Sequence, residues 1–211
     1  MNKAMFTLLL SAGWVGSLLA QQPLGVTHSG QTTGQSPFPM TEYIELPNPA
    51  ATDVDSWRGV TLPTCAWGDT YNRYKKESHP HLRAQSVQMT GWKGERVAAQ
   101  LVISTPIDLE QVSIETTPLV HRDGKQTISD DHLLKGFVRY VMTDELNKDR
   151  PGTCGDRTDL SKFDSTLVAD PIDHLAKSLP VKAYTTQAYW IRVWIPQDAS
   201  TGRYKIGRAH V

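Results

Sequence analysis

Glu95-Arg-Val-Ala-Ala-Gln-Leu-Val-Ile-Ser104 is the stretch on which the fold turns. Val97, Ala99, Leu101 and Ile103 recur at every second position, the period of an extended chain whose side chains point alternately to two faces. Pro106 ends the run. A second segment of this kind, Gln187-Ala-Tyr-Trp-Ile-Arg-Val-Trp-Ile-Pro196, sets Tyr189, Ile191, Val193 and Ile195 on one face and Trp190, Arg192 and Trp194 on the other. Shorter strands are expected at Thr41–Leu46, Ala84–Thr90, Gln111–Glu115 and Gly136–Thr143. Asp123-Gly124 is a hairpin-type turn signal. Asp53–Tyr74 reads as loop with short extended pieces, 147–160 as polar loop, and Asp164–Leu179 as room for one short helix before Pro180. Five or more short strands, turn-rich connections and almost no helical period predict an all-β fold, an antiparallel β-sandwich of immunoglobulin-like or jelly-roll-like type. Strands do not alternate with long helices, which argues against a βα barrel or a doubly wound sheet.

The end of the chain sharpens this expectation. Pro196–Gly202 is dense in turn residues, and Arg203-Tyr204-Lys205 reads as the start of a partner strand for Gln187–Ile195. Ile206–Val211 does not sustain the alternation and reads as a non-native tail. The sandwich is therefore expected to be incomplete at its C-terminus, with the Gln187–Ile195 strand left as an unpaired, aggregation-prone edge.

Bulk composition allows one ordinary domain. The chain has 211 residues, 39% hydrophobic and 21% charged, with 22 basic and 22 acidic side chains. No basic stripe supports nucleic-acid binding. Asn2-Lys3, an apolar run from Ala4 to Leu19 and Ala20 before Gln21 have the form of a signal peptide over residues 1–20. The run is short for a bilayer span, so no membrane span is expected once the leader is removed. Residues 21–40, rich in Gln, Gly, Ser, Thr and Pro, read as a flexible lead-in, and 41–205 as the domain. The protein is expected to be exported, to the periplasm or the cell exterior. There Cys65 and Cys154, the two cysteines, either pair or stand as separate buried thiols.

Candidate chemistry is sparse. Asp144-Glu145 is an acidic pair at a strand exit, but neighbours on an extended chain point apart, and a solvated loop is the better reading. His79-Pro-His81 lacks a third ligand at metal-site spacing and reads as a solvated loop, so no metal and no cofactor are expected. No nucleophile elbow or phosphate loop occurs. Trp57, Trp67, Tyr71 and Tyr74 lie in loop-like sequence beside Asp69, Asn72 and Arg73. They are candidates for carbohydrate contact, with packing over the end of the sandwich as the alternative.

Taken in order, Gly91-Trp-Lys-Gly-Glu-Arg-Val-Ala-Ala-Gln-Leu-Val102, Phe137-Val-Arg-Tyr-Val141, Cys154-Gly-Asp-Arg157, Leu167-Val-Ala-Asp-Pro-Ile-Asp173 and Gln187 to Tyr204 resemble N-terminal domains of glycoside hydrolase family 123. The resemblance runs from about Ser56 to Lys205. It implies a β-sandwich packed on a catalytic (β/α)₈ barrel that carries an adjacent Asp-Glu pair. It further implies release of β-linked N-acetylhexosamine, N-acetylgalactosamine in particular, by attack of the sugar's own acetamido oxygen. Asp144-Glu145 belongs to the sandwich, so no catalytic residue is assigned in this chain. The implied partners are a glycan substrate and an intramolecular barrel. A stand-alone carbohydrate-binding or structural sandwich is the alternative.

Overall fold

Strand propensity and alternation build twelve strands among the described residues. The computed structural model describes residues 43–143 and 166–206, together with the backbone of one N-terminal strand. In chain order the strands are β1 (Ala4–Leu9), β2 (Thr64–Gly68), β3 (Ser86–Gly91), β4 (Arg96–Thr105), β5 (Leu109–Ser113), β6 (Leu119–His121), β7 (Thr127–Ile128), β8 (Leu133–Thr143), β9 (Thr166–Asp173), β10 (Ser178–Val181), β11 (Thr185–Trp194) and β12 (Tyr204–Ile206). A 3₁₀ turn, Asp130–His132, precedes β8, and no α-helix occurs among the described residues. Every strand pairing is antiparallel.

A five-stranded sheet, ordered β2-β4-β11-β8-β9, is the frame. Three small sheets accompany it: β10-β5, β12-β6-β7 and β1-β3. The two stretches with the clearest alternation, β4 and β11, pair along their whole length, from Thr185 opposite Thr105 to Trp194 opposite Arg96. Ala99, Leu101 and Ile103 of β4 join Tyr189, Ile191 and Val193 of β11, together with Ile195, in the main core. Val112, Leu119, Ile128, Val181, Tyr204 and Ile206 from the small sheets close that core from the other side. This is the all-β sandwich expected from the period-2 pattern, with inner faces interdigitating. The opposite face of the large sheet carries a second, smaller core of Tyr74, Val102, Val138, Tyr140, Leu167, Ala169 and Ala188.

Several local expectations change. β11 is not an open edge, because β4 and β8 flank it on both sides. Its two apolar faces are explained by the two cores. Tyr204-Lys205-Ile206 pairs with Leu119–His121 rather than folding back on β11, and Ile206, placed in the tail by its sequence, is 2% exposed there. The short helix expected within Asp164–Leu179 is instead the edge strand β9 followed by β10. Leu167 and Ala169 alternate inward, and the register of β9 on β8 slips between Val138–Ile172 and Tyr140–Ala169. Pro171 sits in that slip on an edge strand, the setting in which a sheet accommodates a residue without an N–H. The strand expected at Thr41–Leu46 is irregular from Tyr43 onward. Side chains hold it: the Tyr43 hydroxyl donates to Tyr140 O at 2.6 Å, and Arg139 Nη2 donates to Tyr43 O at 3.1 Å. The Asp123-Gly124 turn forms as expected, with Gly124 at φ 73° joining β6 to β7.

Of the leader, only Ala4–Leu9 is described, as a strand along β3. The lead-in, residues 21–40, and positions 207–211 lie outside the described residues.

Candidate functional site

The sequence-nominated aromatics lie before β2 (Trp57), on it (Trp67) and in the loop after it (Tyr71 and Tyr74). Trp67 is on β2, 4% exposed, and packs in the main core. Trp57 is 4% exposed; its indole N–H donates to Glu77 O at 2.9 Å, and its ring meets His79 and Tyr184 edge-on. Tyr74 is 7% exposed and lies over Gly68, where any Cβ would collide with the phenol ring. Three of the four nominated rings are therefore covered by protein, Trp67 as a strand residue of the main core and Trp57 and Tyr74 as loop residues packed against their neighbours. Tyr71 alone is open, at 93% exposure.

The backbone carrying Tyr71 is held firmly. Asp69 Oδ1 accepts from Tyr71 N at 2.8 Å, and Asn72 N donates to Asp69 O at 3.2 Å, a short Asx-type turn. Gln100 on β4 donates its side-chain amide to Asp69 O at 3.1 Å and Asn72 O at 3.0 Å. The Tyr74 hydroxyl accepts from Asp69 N at 2.7 Å. Thus Asp69, one of the polar neighbours of the nominated aromatics, is the residue that shapes the turn.

Beside this turn the outer face of the large sheet is concave. One cavity of about 230 Å³ is lined by Asn72, Arg73, Gln100, Asp170, Ile172 and Trp190, among others. A second, of about 420 Å³, is bounded by Tyr71, Thr90, Ala98 and the same Trp190. Thr70 lines both. The groove exists because β2 pairs with β4 only from Gln100 to Ser104, leaving the earlier part of that β4 edge uncovered by β2. Arg73 Nη2 stands 3.8 Å from Asp170 Oδ1, both side chains being more than half exposed. Trp190 and Asp170 did not figure as ligand candidates in the sequence. The signal was present in part, because alternation already put Trp190 on the face away from Tyr189 and Ile191.

The remaining nominated groups have structural roles or are not described. His79 is buried rather than solvated as its sequence suggested; its Nδ1 accepts from His81 N at 3.1 Å, which leaves Nε2–H to donate to Thr64 Oγ1 at 3.2 Å. Burial, and secondarily the neighbouring His81, hold its pKa below the usual histidine value. Both ring nitrogens are thereby engaged by protein, and no set of three or more potential metal ligands occurs among the described residues. Cys65, on β2, is half-buried with no disulfide partner among the described residues, and burial pushes its thiol up to about 11. Cys154 and the Asp144-Glu145 pair lie outside the described residues. Two enclosed carboxylates, Glu45 and Asp173, face Arg139, at 2.9 and 3.2 Å. Arg139 also lies over the Tyr43 ring, and Lys76 both pairs with Glu45 and lies over the Tyr140 ring. That network ties the segment from Tyr43 to β8.

Residues 67–209 match the glycoside hydrolase 123 N-terminal domain, more than half of the chain. No curated protein matches it. Among solved structures it is similar to a family 123 glycoside hydrolase from Clostridium perfringens, whose structural analysis concerns glycolipid glycan hydrolysis. The TM-score is 0.53 at 17% identity, over 68% of this chain and 23% of that one. At that identity the likeness speaks for the fold, and the chain spans about a quarter of that enzyme's length. By the match across residues 67–209, the chain belongs to the glycoside hydrolase 123 N-terminal domain family.

Proposed function

We propose that this domain is the non-catalytic N-terminal accessory part of an exported glycoside hydrolase. The full-length enzyme removes β-linked N-acetylhexosamine, N-acetylgalactosamine in particular, from glycans by substrate-assisted catalysis. The observation that carries the reading is the family match over residues 67–209. The leader-like sequence of residues 1–20 supports export. The engagement of Glu45 and Asp173 by Arg139 supports a bracing rather than a catalytic role, because a carboxylate locked to a guanidinium is poorly placed to exchange a proton with substrate.

The test compares the 211-residue chain with the product of the complete reading frame on an aryl β-N-acetylgalactosaminide. Hydrolysis by the longer protein and none by the chain is expected. Turnover by the chain, abolished in Asp144→Asn or Glu145→Gln, would place the catalytic pair in this domain and overturn the reading. Export is checked separately: the mature N-terminus should be Gln21.

A stand-alone carbohydrate-binding module is the second reading. Its support is the open groove beside Tyr71. A complete reading frame that continues into repeated βα units weighs against it.

A further inference from the structure

We propose that the groove between the turn Asp69–Arg73 and the outer face of the large sheet is a glycan subsite. It takes a neutral pyranose against Tyr71 and Trp190, with the sugar hydroxyls on Asn72, Arg73 and Asp170. The assignment rests on the glycan-directed reading above and is independent of any barrel's activity.

Tyr71 is the first reason. A phenol 93% exposed on a floppy loop would be ordinary surface. This one stands on a turn pinned by Asp69 from within, by Tyr74 from the same loop and by Gln100 from the sheet. Such pinning meets the ordering cost before a ligand arrives, and rigid aromatics on fixed loops are efficient contact surfaces. Trp190 lines both cavities: it shares the larger with Tyr71 and the smaller with Asn72, Arg73 and Asp170, so it joins the aromatic and the polar parts of the groove. Two aromatic surfaces suit the apolar C–H faces of a sugar ring.

The polar groups identify the class of ligand. Arg73 brings donors only, Asp170 acceptors only, and the two stand 3.8 Å apart on one wall. A hydroxyl both donates and accepts, so it satisfies the two together. A phosphate would meet the Asp170 carboxylate unfavourably, and an amine would meet Arg73. The face also differs from a protein-docking core, where charged groups are depleted. At about 420 Å³ the larger depression lies in the lower part of the range for small-molecule sites and is shallow, while the smaller, about 230 Å³, falls below that range; together they have room for about one ring.

Saturation-transfer NMR on the full 211-residue chain tests the assignment. The probes are methyl β-N-acetylgalactosaminide and a tetrasaccharide ending in β-linked N-acetylgalactosamine. Binding is titrated for the wild type, Tyr71→Ala, Asp170→Ala and, as a control on another sheet, Val120→Ser. Circular dichroism melts run alongside. The expected result is binding by wild type and control, at least tenfold weaker in Tyr71→Ala, weaker in Asp170→Ala, with Tyr71→Ala melting as wild type does. Absence of binding by the wild type, or equal affinity in Tyr71→Ala, overturns the subsite. If the chain fails to bind while the longer protein hydrolyses the aryl hexosaminide, the subsite falls and the enzymatic reading stands. If the chain binds while the longer protein is inactive, the reverse holds. If Tyr71→Ala lowers the melting temperature of the longer protein and leaves sugar affinity intact, the groove is a docking face for the rest of the polypeptide and the subsite is overturned.

Discussion

Arg139 Nε stands 2.9 Å from Glu45 Oε1, an ion pair between residues 94 positions apart whose side chains are 10% and 13% exposed. The same carboxylate oxygen accepts from Tyr140 N at 3.3 Å, and Lys76 pairs with the other oxygen. Arg139 Nη1 reaches Asp173 Oδ2 at 3.2 Å. One glutamate thereby links an irregular N-terminal segment, the loop at Lys76 and strand β8, while its arginine partner reaches β9.

Glu45→Gln should therefore cost more than a surface charge change. It leaves Arg139 and Lys76 enclosed without their shared anion, and loss of one partner of a buried pair costs about 3–5 kcal/mol. The lower end is expected here, because Asp173 still faces Arg139. Urea unfolding of the chain measures it. A change below ~1 kcal/mol would mean that the segment is held by the Tyr43 contacts rather than by charge.

Gly136 on β8 faces the β9 backbone. A Cβ built there would lie 2.5 Å from Asp173 O and 2.8 Å from its carbonyl carbon. Backbone cannot yield as a long side chain does, so Gly136→Ala should push β9 away and destabilise by about 1–3 kcal/mol or more. Gly124→Ala, with nothing within 4 Å of the added carbon, is the comparison; its cost comes from φ 73° alone. Thermal melts should rank Gly136→Ala as the more damaging. The reverse order would contradict the close approach of β9.

Burial raises the Cys65 thiol from its ordinary 9.0 to about 11. The folded protein then holds a proton that the unfolded chain releases between those values. Stability from this group is full below pH 9 and declines as pH rises from 9 to 11. Cys65→Ser should flatten that part of the pH profile. Alkylation by iodoacetamide at pH 8 should be slow in the native chain and rapid in urea, since the thiolate is the nucleophile. If material from the oxidising compartment shows a mass two daltons low and no alkylation after denaturation, Cys65 is paired with Cys154.

His79 has the opposite sign. Its native pKa is depressed by burial and by His81, so the unfolded chain binds a proton first as pH falls. Stability from neutral His79 is full above the ordinary value near 6.5 and is lost as pH drops through and below it. Protonation also places a hydrogen on Nδ1, opposite the His81 N–H that it accepts. His79→Gln should lower stability at pH 8 and show less loss between pH 7 and 5 than the wild type. Equal pH slopes in the two proteins would remove His79 as the cause.

Much of the frame was legible from local pattern. The alternation in Glu95–Ser104 and Gln187–Ile195 assigned faces that the two cores bear out, because side-chain direction along a strand is a local property. The Asp-Gly turn was legible for the same reason, since the demand for φ 73° at Gly124 is met by the residue itself. The site was less legible. Trp57, Trp67, Tyr71 and Tyr74 looked alike in sequence, yet burial divides them three to one, because a ring is covered or open according to what crosses above it.

Sequence by itself settled the all-β class, the faces of the two long strands and, through ordered motifs from Gly91 to Tyr204, the family. Tertiary structure alone decided that β12 joins β6 and not β11, that Thr166–Asp173 is an edge strand with Pro171 at its slip, and that Trp190 meets Tyr71 at one groove. Such choices depend on partners far apart in the chain, as with the Ser104 and Thr186 hydroxyls that meet at 2.7 Å across 82 positions. Local propensity carries no record of those partners; the burial of two opposing sheets selects them.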